Sequence, residues 1–477
     1  MRERACVEIA KLLNDEKYAR ATRDHLLEWM SSQRLESVCA LGLLPLLRAR
    51  IDRPDSQLPS LPQLQTAIAK PSLLSTLLLS ELAAGNGELL SPSLEHSGET
   101  PSDFDVDPFF EKYVKTFVPP YYDYLAGLIE ENEVIAFRRH WAFEWKGLVD
   151  ETSVELTDRT LYFWFGSRDE KERVAATDTK LSEIYRSAFL RSLAWAVATE
   201  KLNLNGALLF AAQTCPVNLD LWKLKVNEKP DWFPRVEEPT GTIDTIPAQI
   251  WHQVEELWKG QLSSEWRILE TSGMVLEGES IYDLQIQGLF QKSHGPAIPN
   301  LENVFNWCHD EVQLSAGMDG HLRFSGAINQ ERNKEWIRQF DDWSFAPAAG
   351  NLNGNSFARW QYWRLQRQIW LPTPFLGSRL RFNCSEDNLN VYEGDDVVGK
   401  WFDWLDGLTE RYNVKLPMPT GQCLQIRAKT IDDFAKATGS SFCWICRLTT
   451  YYRKDTLRPY QEIQDFRDYG CTRISTD

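Results

Sequence analysis

Apolar residues recur at three- and four-residue spacing from the start of the chain. Cys6, Ile9, Leu12 and Leu13 share one stripe, Thr22, Leu26, Leu27 and Met30 a second, and Leu35, Val38, Cys39 and the run from Leu41 to Leu47 a third. This pattern predicts short amphipathic helices paired as hairpins. Pro54, Pro59, Pro62 and Pro71 punctuate them, and a further apolar helix is predicted over 73–82. Residues 1–85 therefore read as an all-helical module. A packed helical cap and a helical solenoid both fit the hairpins, but no residue signature recurs at a fixed period.

Residues 86–108 are rich in Gly, Ser, Pro and acids and lack the apolar positions needed to offset ordering entropy, so the pattern predicts a linker. Over 109–262 it is mixed and mainly helical, with Leu181 to Ala198 the clearest helix and Leu161 to Phe165 a strand candidate. From 263 to 477 the period shortens. Strands are predicted at Trp266 to Leu269, Met274 to Glu277, Ile281 to Phe290 with Tyr282, Leu284 and Ile286 alternating, Leu322 to Phe324, Leu380 to Asn383, Leu389 to Tyr392, Gln422 to Ala428 and Ser441 to Tyr452. Helices are predicted at 331–342, 357–371 and 397–412. The expected fold class is α+β: a helical module, a mainly helical region, and a C-terminal α+β domain with an antiparallel sheet.

Composition changes this picture little, since 43% hydrophobic and 25% charged residues are ordinary globular values. Charge changes it more. A net charge of −16 excludes a protein that coats nucleic acid or anionic lipid with its whole surface. The acid excess peaks between residues 86 and 160. Nine scattered Cys are too sparse for a disulfide framework, which favours a reducing, cytoplasmic setting. The N-terminal stretch does not read as a secretory signal, and the longest apolar runs fall well short of the roughly 18 residues that would suggest a membrane span.

Within this acidic chain, Trp343 to Ser385 contains no Asp or Glu but does contain Arg359, Arg364, Arg367, Arg379 and Arg381. As a helix, 357–370 would bring Trp360, Trp363, Arg367 and Trp370 to one face, with Arg359 and Arg364 beside it. Guanidinium groups with stacking rings suit single-stranded nucleic acid, a ligand or a protein; a buried Trp face covered by Arg stems is the competing structural reading.

Other patterns carry less. Gly394 to Lys400 matches the GxxxxGK spacing, but Trp401 stands where a phosphate loop needs Ser or Thr, so a strand-to-helix turn explains it. Cys443 and Cys446 form a CxxC within a predicted strand, which places their sulfurs on opposite faces and disfavours zinc. His294, Cys308, His309 and His321 cluster in sequence without a metal-ligand spacing. Asp103, Asp105 and Asp107 alternate without a complete calcium-loop pattern, and Arg20 with His25 fits a charged helix surface as well as a nuclease pair. These patterns call for no cofactor or metal. The expectation is a cytoplasmic interaction or adaptor protein with a protein partner; the alternative is nucleic-acid binding or processing through the Arg/Trp segment.

Overall fold

The computed structural model of the chain describes residues 2–83, 90–117, 125, 129–156, 180–215, 219–222, 224–225, 227–236, 245–277, 280–292, 300–310, 313–316, 322–324, 345–352, 369–372, 380–385, 387–405, 420–452 and 466–475. It divides into two compact units, Met1–Lys223 and Leu224–Asp477.

The N-terminal apolar stripes form helices α1 (Arg2–Asn14), α2 (Ala19–Ser31), α3 (Glu36–Leu41), α4 (Leu43–Asp52), α5 (Leu61–Ala67) and α6 (Leu73–Ala83). The first unit continues with α7 (Pro108–Phe117), α8 (Glu131–Thr152), α9 (Lys180–Ala198), α10 (Leu204–Gln213) and α11 (Leu219–Trp222). Two of these helices are buried nearly all round. In α6, Leu73, Leu74, Leu78, Leu79 and Leu82 are buried together with Ser75, Thr76 and Ser80, and the Ser80 hydroxyl donates to the Thr76 carbonyl at 2.8 Å. In α9 almost every side chain from Leu181 to Ala196 is buried, and α3, α6, α7, α8 and α10 pack around it. An aromatic cluster joins α7, α8 and α9: Phe110 meets Trp141 and Tyr185 at 5.5 Å, Trp141 meets Phe189 at 4.9 Å, and the Trp141 indole N–H donates to the Tyr185 carbonyl.

Helix α10 begins at Asn203, whose side-chain oxygen accepts the Gly206 N–H at 2.8 Å and so satisfies an otherwise unpaired amide. Replacing Asn203 with Ala is expected to cost about 1 kcal/mol in urea denaturation, whereas Asn203→Ser, which keeps an acceptor, should cost far less.

Residues 90–107, which lie within the stretch read as a linker, form neither helix nor strand and are tied down through their polar atoms. The Leu90 and Ser93 amides donate to the hydroxyls of Ser80 and Thr76, and the Arg139 guanidinium reaches the carbonyls of Pro101, Ser102 and Phe104. Phe104 packs edge-on against Phe143. The segment holds its place mainly by polar contacts, which a count of apolar positions does not register.

The second unit opens with α12 (Ile246–Leu262) and is otherwise built mainly of strands: β1 (Trp266–Glu277), β2 (Ser280–Lys292), β3 (Gln313–Ala316), β4 (Leu322–Phe324), β5 (Phe345–Pro347), β6 (Ala349–Leu352), β7 (Trp370–Pro372), β8 (Leu380–Cys384), β9 (Leu389–Glu393), β10 (Asp396–Leu405), β11 (Thr420–Arg427), β12 (Ser440–Tyr452) and β13 (Phe466–Ile474). Helix α13 (Leu301–Asp310) follows β2, and α14 (Ala428–Thr438) lies between β11 and β12. A nine-stranded antiparallel sheet runs β13-β12-β2-β1-β11-β10-β9-β8, with β5 also paired to β2. A smaller sheet runs β4-β3-β6-β7. The fold class is thus α+β, with a helical N-terminal module and a C-terminal antiparallel sheet. No helix among the described residues is long and apolar enough to cross a membrane.

One predicted helix is a strand. Residues 396–405 form β10, which Gly394 and Asp395 join to β9 in a tight hairpin, Gly394 supplying the positive φ of +63°. Trp401 and Trp404 suggested a helical stripe, yet their spacing of three puts them on opposite faces of a strand buried on both sides. The Trp404 indole lies across its register partner Gly421 and also against Gly273, where a Cβ would come within 3.1 Å of the ring. The predicted helix 331–342 and the strand at Leu161 to Phe165 lie outside the described residues.

Candidate functional site

Directly opposed residues in an antiparallel sheet share a face, so the register sorts the side chains of the large sheet. One face carries Phe290, Phe442, Trp444, Ile286, Leu284 and Leu448, with Trp258 of α12 against Phe442 and Trp444, and Phe434 of α14 against Phe290 at 4.6 Å. This is an ordinary apolar core.

The other face is divided. At one end Leu289, Cys443 and Ile445 pack under Val304, Phe305 and Cys308 of α13. Next to them the register aligns Glu270 with Gln287, Ser272 with Gln285 and Gln422, Gln422 with Asp403, and Gln285 with Arg447. These polar groups do not face water: Glu270, Ser272, Gln287, Asp403 and Gln422 are all buried. Gln422 donates to Glu270 Oε1 at 3.1 Å, and Arg447 donates to Asn306 of α13 at 3.0 Å.

Gln287 is the exception in this floor. It is 4% exposed, and among the described residues neither its amide nitrogen nor its amide oxygen has a hydrogen-bond partner. The Gln422 oxygen is also without one. An unpaired buried amide end costs about 1–3 kcal/mol, so a carboxamide with both ends unpaired is an expensive feature in a sheet that could hold an apolar side chain there. The floor is rich in acceptors, with the Gln287 and Gln422 oxygens beside the Glu270 carboxylate. Chemically it suits a donor-bearing group such as an amide or amine.

Of the Arg/Trp segment, Arg359, Trp360, Trp363, Arg364 and Arg367 lie outside the described residues. Trp370 opens β7 opposite Asn351, is 1% exposed, and sits 5.5 Å from the His309 ring. The expected helix therefore does not reach Trp370, which is a core side chain on a strand.

Cys443 and Cys446 lie on β12, where Cys443 opposes Leu289 and Cys446 opposes Ile286, on opposite faces. Burial pushes the Cys308 thiol beside Cys443 well above its ordinary value, which leaves it unreactive. His309 packs against Phe305, while His294 and His321 lie outside the described residues. Arg20 and His25 are exposed on α2, with His25 3.6 Å from Glu28. Asp107 accepts the Phe109 amide at the start of α7.

The helical unit also holds an ionic interior. Arg191 of α9 donates to Glu36 of α3 at 2.7 Å and to Glu144 of α8 at 3.4 Å, while Arg186 pairs with Glu183 at 3.0 Å. Burial lifts the Glu36 carboxyl above its usual range despite the Arg191 charge. Burial alone would also lift Glu144, but its His140 and Ser97 neighbours and the Arg191 charge outweigh it and hold that carboxyl at about 2. Beside Glu144, ligand atoms of His96, His140 and Glu144 lie within 4.8 Å of one another. His140 and Glu144 have an i, i+4 spacing that puts both on one helix face, a signal readable in the sequence; His96 lies in the stretch read as a linker.

No protein-family model matches this chain, and no curated protein matches it in sequence.

Proposed function

We propose that this chain is a cytoplasmic macromolecular interaction protein whose C-terminal sheet opens to receive a donor-bearing group of its partner at a floor that is covered in the free protein. Gln287 carries the reading. Proteins retain locally costly polar groups mainly where function requires them, and a buried carboxamide with both ends unpaired among the described residues, beside Glu270 and Gln422, is such a group.

Affinity capture of the intact protein from native lysate, with and without nuclease, tests this against Gln287→Met. A protein partner that survives nuclease and is lost with Gln287→Met is the expected result. Equal recovery by both forms would remove the floor from the interaction. Nucleic acid that is recovered in a salt-sensitive manner and lost when Arg359, Arg364 and Arg367 become Ala would replace this reading with the nucleic-acid one.

A further inference from the structure

The polar cluster of the helical unit contains a set of groups that its ion pairs do not explain. His140 is completely buried on α8, and its ring stacks on Trp195 at 4.3 Å. Its two nitrogens have different surroundings. Nδ1 lies 2.9 Å from the Thr100 hydroxyl, whereas Nε2 has no hydrogen-bond partner among the described residues and points towards Glu144 Oε1 at 3.5 Å. A buried imidazole held at one nitrogen and bare at the other is how a metal-ligating histidine is arranged, the held nitrogen fixing tautomer and ring plane.

Glu144 fits the same pattern. Its Oε2 accepts from the Ser97 hydroxyl at 2.7 Å and from Arg191 at 3.4 Å, while Oε1, which also accepts the Ser97 amide, faces His140. His96 supplies the third group. It is half-buried on the 90–107 segment, its ring centre lies 6.1 Å from that of His140, and its Nδ1 accepts the Gly98 amide at 3.0 Å, a bond that must open for this ring to ligate, since in the neutral ring the other nitrogen then carries the proton. Gly98 makes that contact with φ at +89°, a conformation natural to glycine.

We propose that His96, His140 and Glu144 bind one divalent transition-metal ion, Zn²⁺ being the best fit, and that the ion fastens the 90–107 segment to α8. Two imidazoles and one carboxylate are a borderline-soft donor set that suits Zn²⁺ and its neighbours over Mg²⁺ or Ca²⁺, which take oxygen ligands. Metal–ligand bonds of about 2.0–2.1 Å in tetrahedral geometry separate ligand atoms by about 3.4 Å. The His140–Glu144 contact of 3.5 Å already has that spacing. The half-buried ring of His96 is the group left to close in. Arg191 stays on the far oxygen of Glu144, an outer partner that offsets negative charge without occupying the site.

The test uses the full chain, stripped with a chelator and titrated with Zn²⁺ by calorimetry and with Co²⁺ by visible absorption. The expected results are one ion per chain, a d–d band typical of four- or five-coordinate Co²⁺, and a melting temperature that rises with Zn²⁺. His96→Ala removes a half-buried side chain and leaves the helical core intact, so it is the informative variant. It should keep the circular dichroism spectrum and weaken Zn²⁺ binding by about 100-fold, comparable to the upper range for loss of a supporting group around a metal. His25→Ala, on an exposed helix of the same unit, should bind as the parent does. Absence of saturable binding would overturn the proposal, as would affinity equal to the parent's in the His96 variant, which would place the ion elsewhere.

Discussion

Replacing Arg191 with Met is expected to destabilise the helical unit by about 3–5 kcal/mol at neutral pH, the cost of breaking a buried ion pair from one side. Arg191 binds Glu36 and Glu144, two carboxylates on different helices, and both side chains are almost wholly removed from water. Without the guanidinium the cost falls mainly on Glu36, which keeps only a backbone hydrogen bond and a more remote attraction to Lys70, whereas Glu144 retains its His140 and Ser97 contacts. Methionine fills the volume and restores none of the charge. Denaturant titration at pH 7 and pH 4 distinguishes this cause from simple loss of packing, because protonation of the carboxylates should shrink the deficit at the lower pH. A deficit below about 1 kcal/mol, or one unchanged between the two pH values, would rule out the ionic account.

The two carboxylates should also act oppositely in the unaltered protein. Glu144 is held at about 2, below its unfolded value, so its contribution is complete above pH 4.5 and is lost as the pH falls from there towards 2. The Glu36 carboxyl is raised, so its contribution is present below pH 4.5 and is lost as the pH rises through its folded value. Glu36→Gln should therefore cost much less at pH 7 than Arg191→Met, since it removes a charge that burial already disfavours.

How much of this was legible in the sequence depended on how many faces of each element are buried. Strands with a clear period or a tight turn were found within a residue or two, as with β8, β9 and β12, because alternation and flanking polar residues mark them. Where a strand is buried on both faces, as β10 is, Trp401 and Trp404 at a spacing of three looked helical. Helices α13 and α14 do carry apolar stripes, Leu301, Val304, Phe305 and Cys308 in one and Ile431 and Phe434 in the other, but each spans only about three turns within a strand-rich stretch and is missing from the predicted helices. The polar floor was misleading for a different reason. In β2, Asp283, Gln285 and Gln287 alternate with Tyr282, Leu284 and Ile286, which ordinarily marks a solvated face, and the sequence does not announce that this face is covered. The Arg/Trp segment attracted attention through unusual composition, yet Trp370, its one described member, is a core residue.

Gln287→Met should stabilise the sheet unit by about 1–3 kcal/mol while removing its proposed recognition role. The substitution keeps an unbranched side chain of similar length on β2, exchanging an amide with no partner at either end among the described residues for a thioether that needs none. Gln422→Met provides the contrast. Its nitrogen donates to Glu270, so the same exchange strips a buried carboxylate of a donor and should destabilise. Opposite signs at two glutamines of one floor separate an amide kept at a cost from an amide that supports its neighbour, and denaturant titration of both variants at the same pH measures them. If Gln287→Met also destabilises, the carboxamide is already satisfied within the folded protein, and the argument that it is held for a partner fails. If it stabilises and partner capture is lost, stability and recognition are opposed at this residue, as expected where a binding group is buried before its partner arrives.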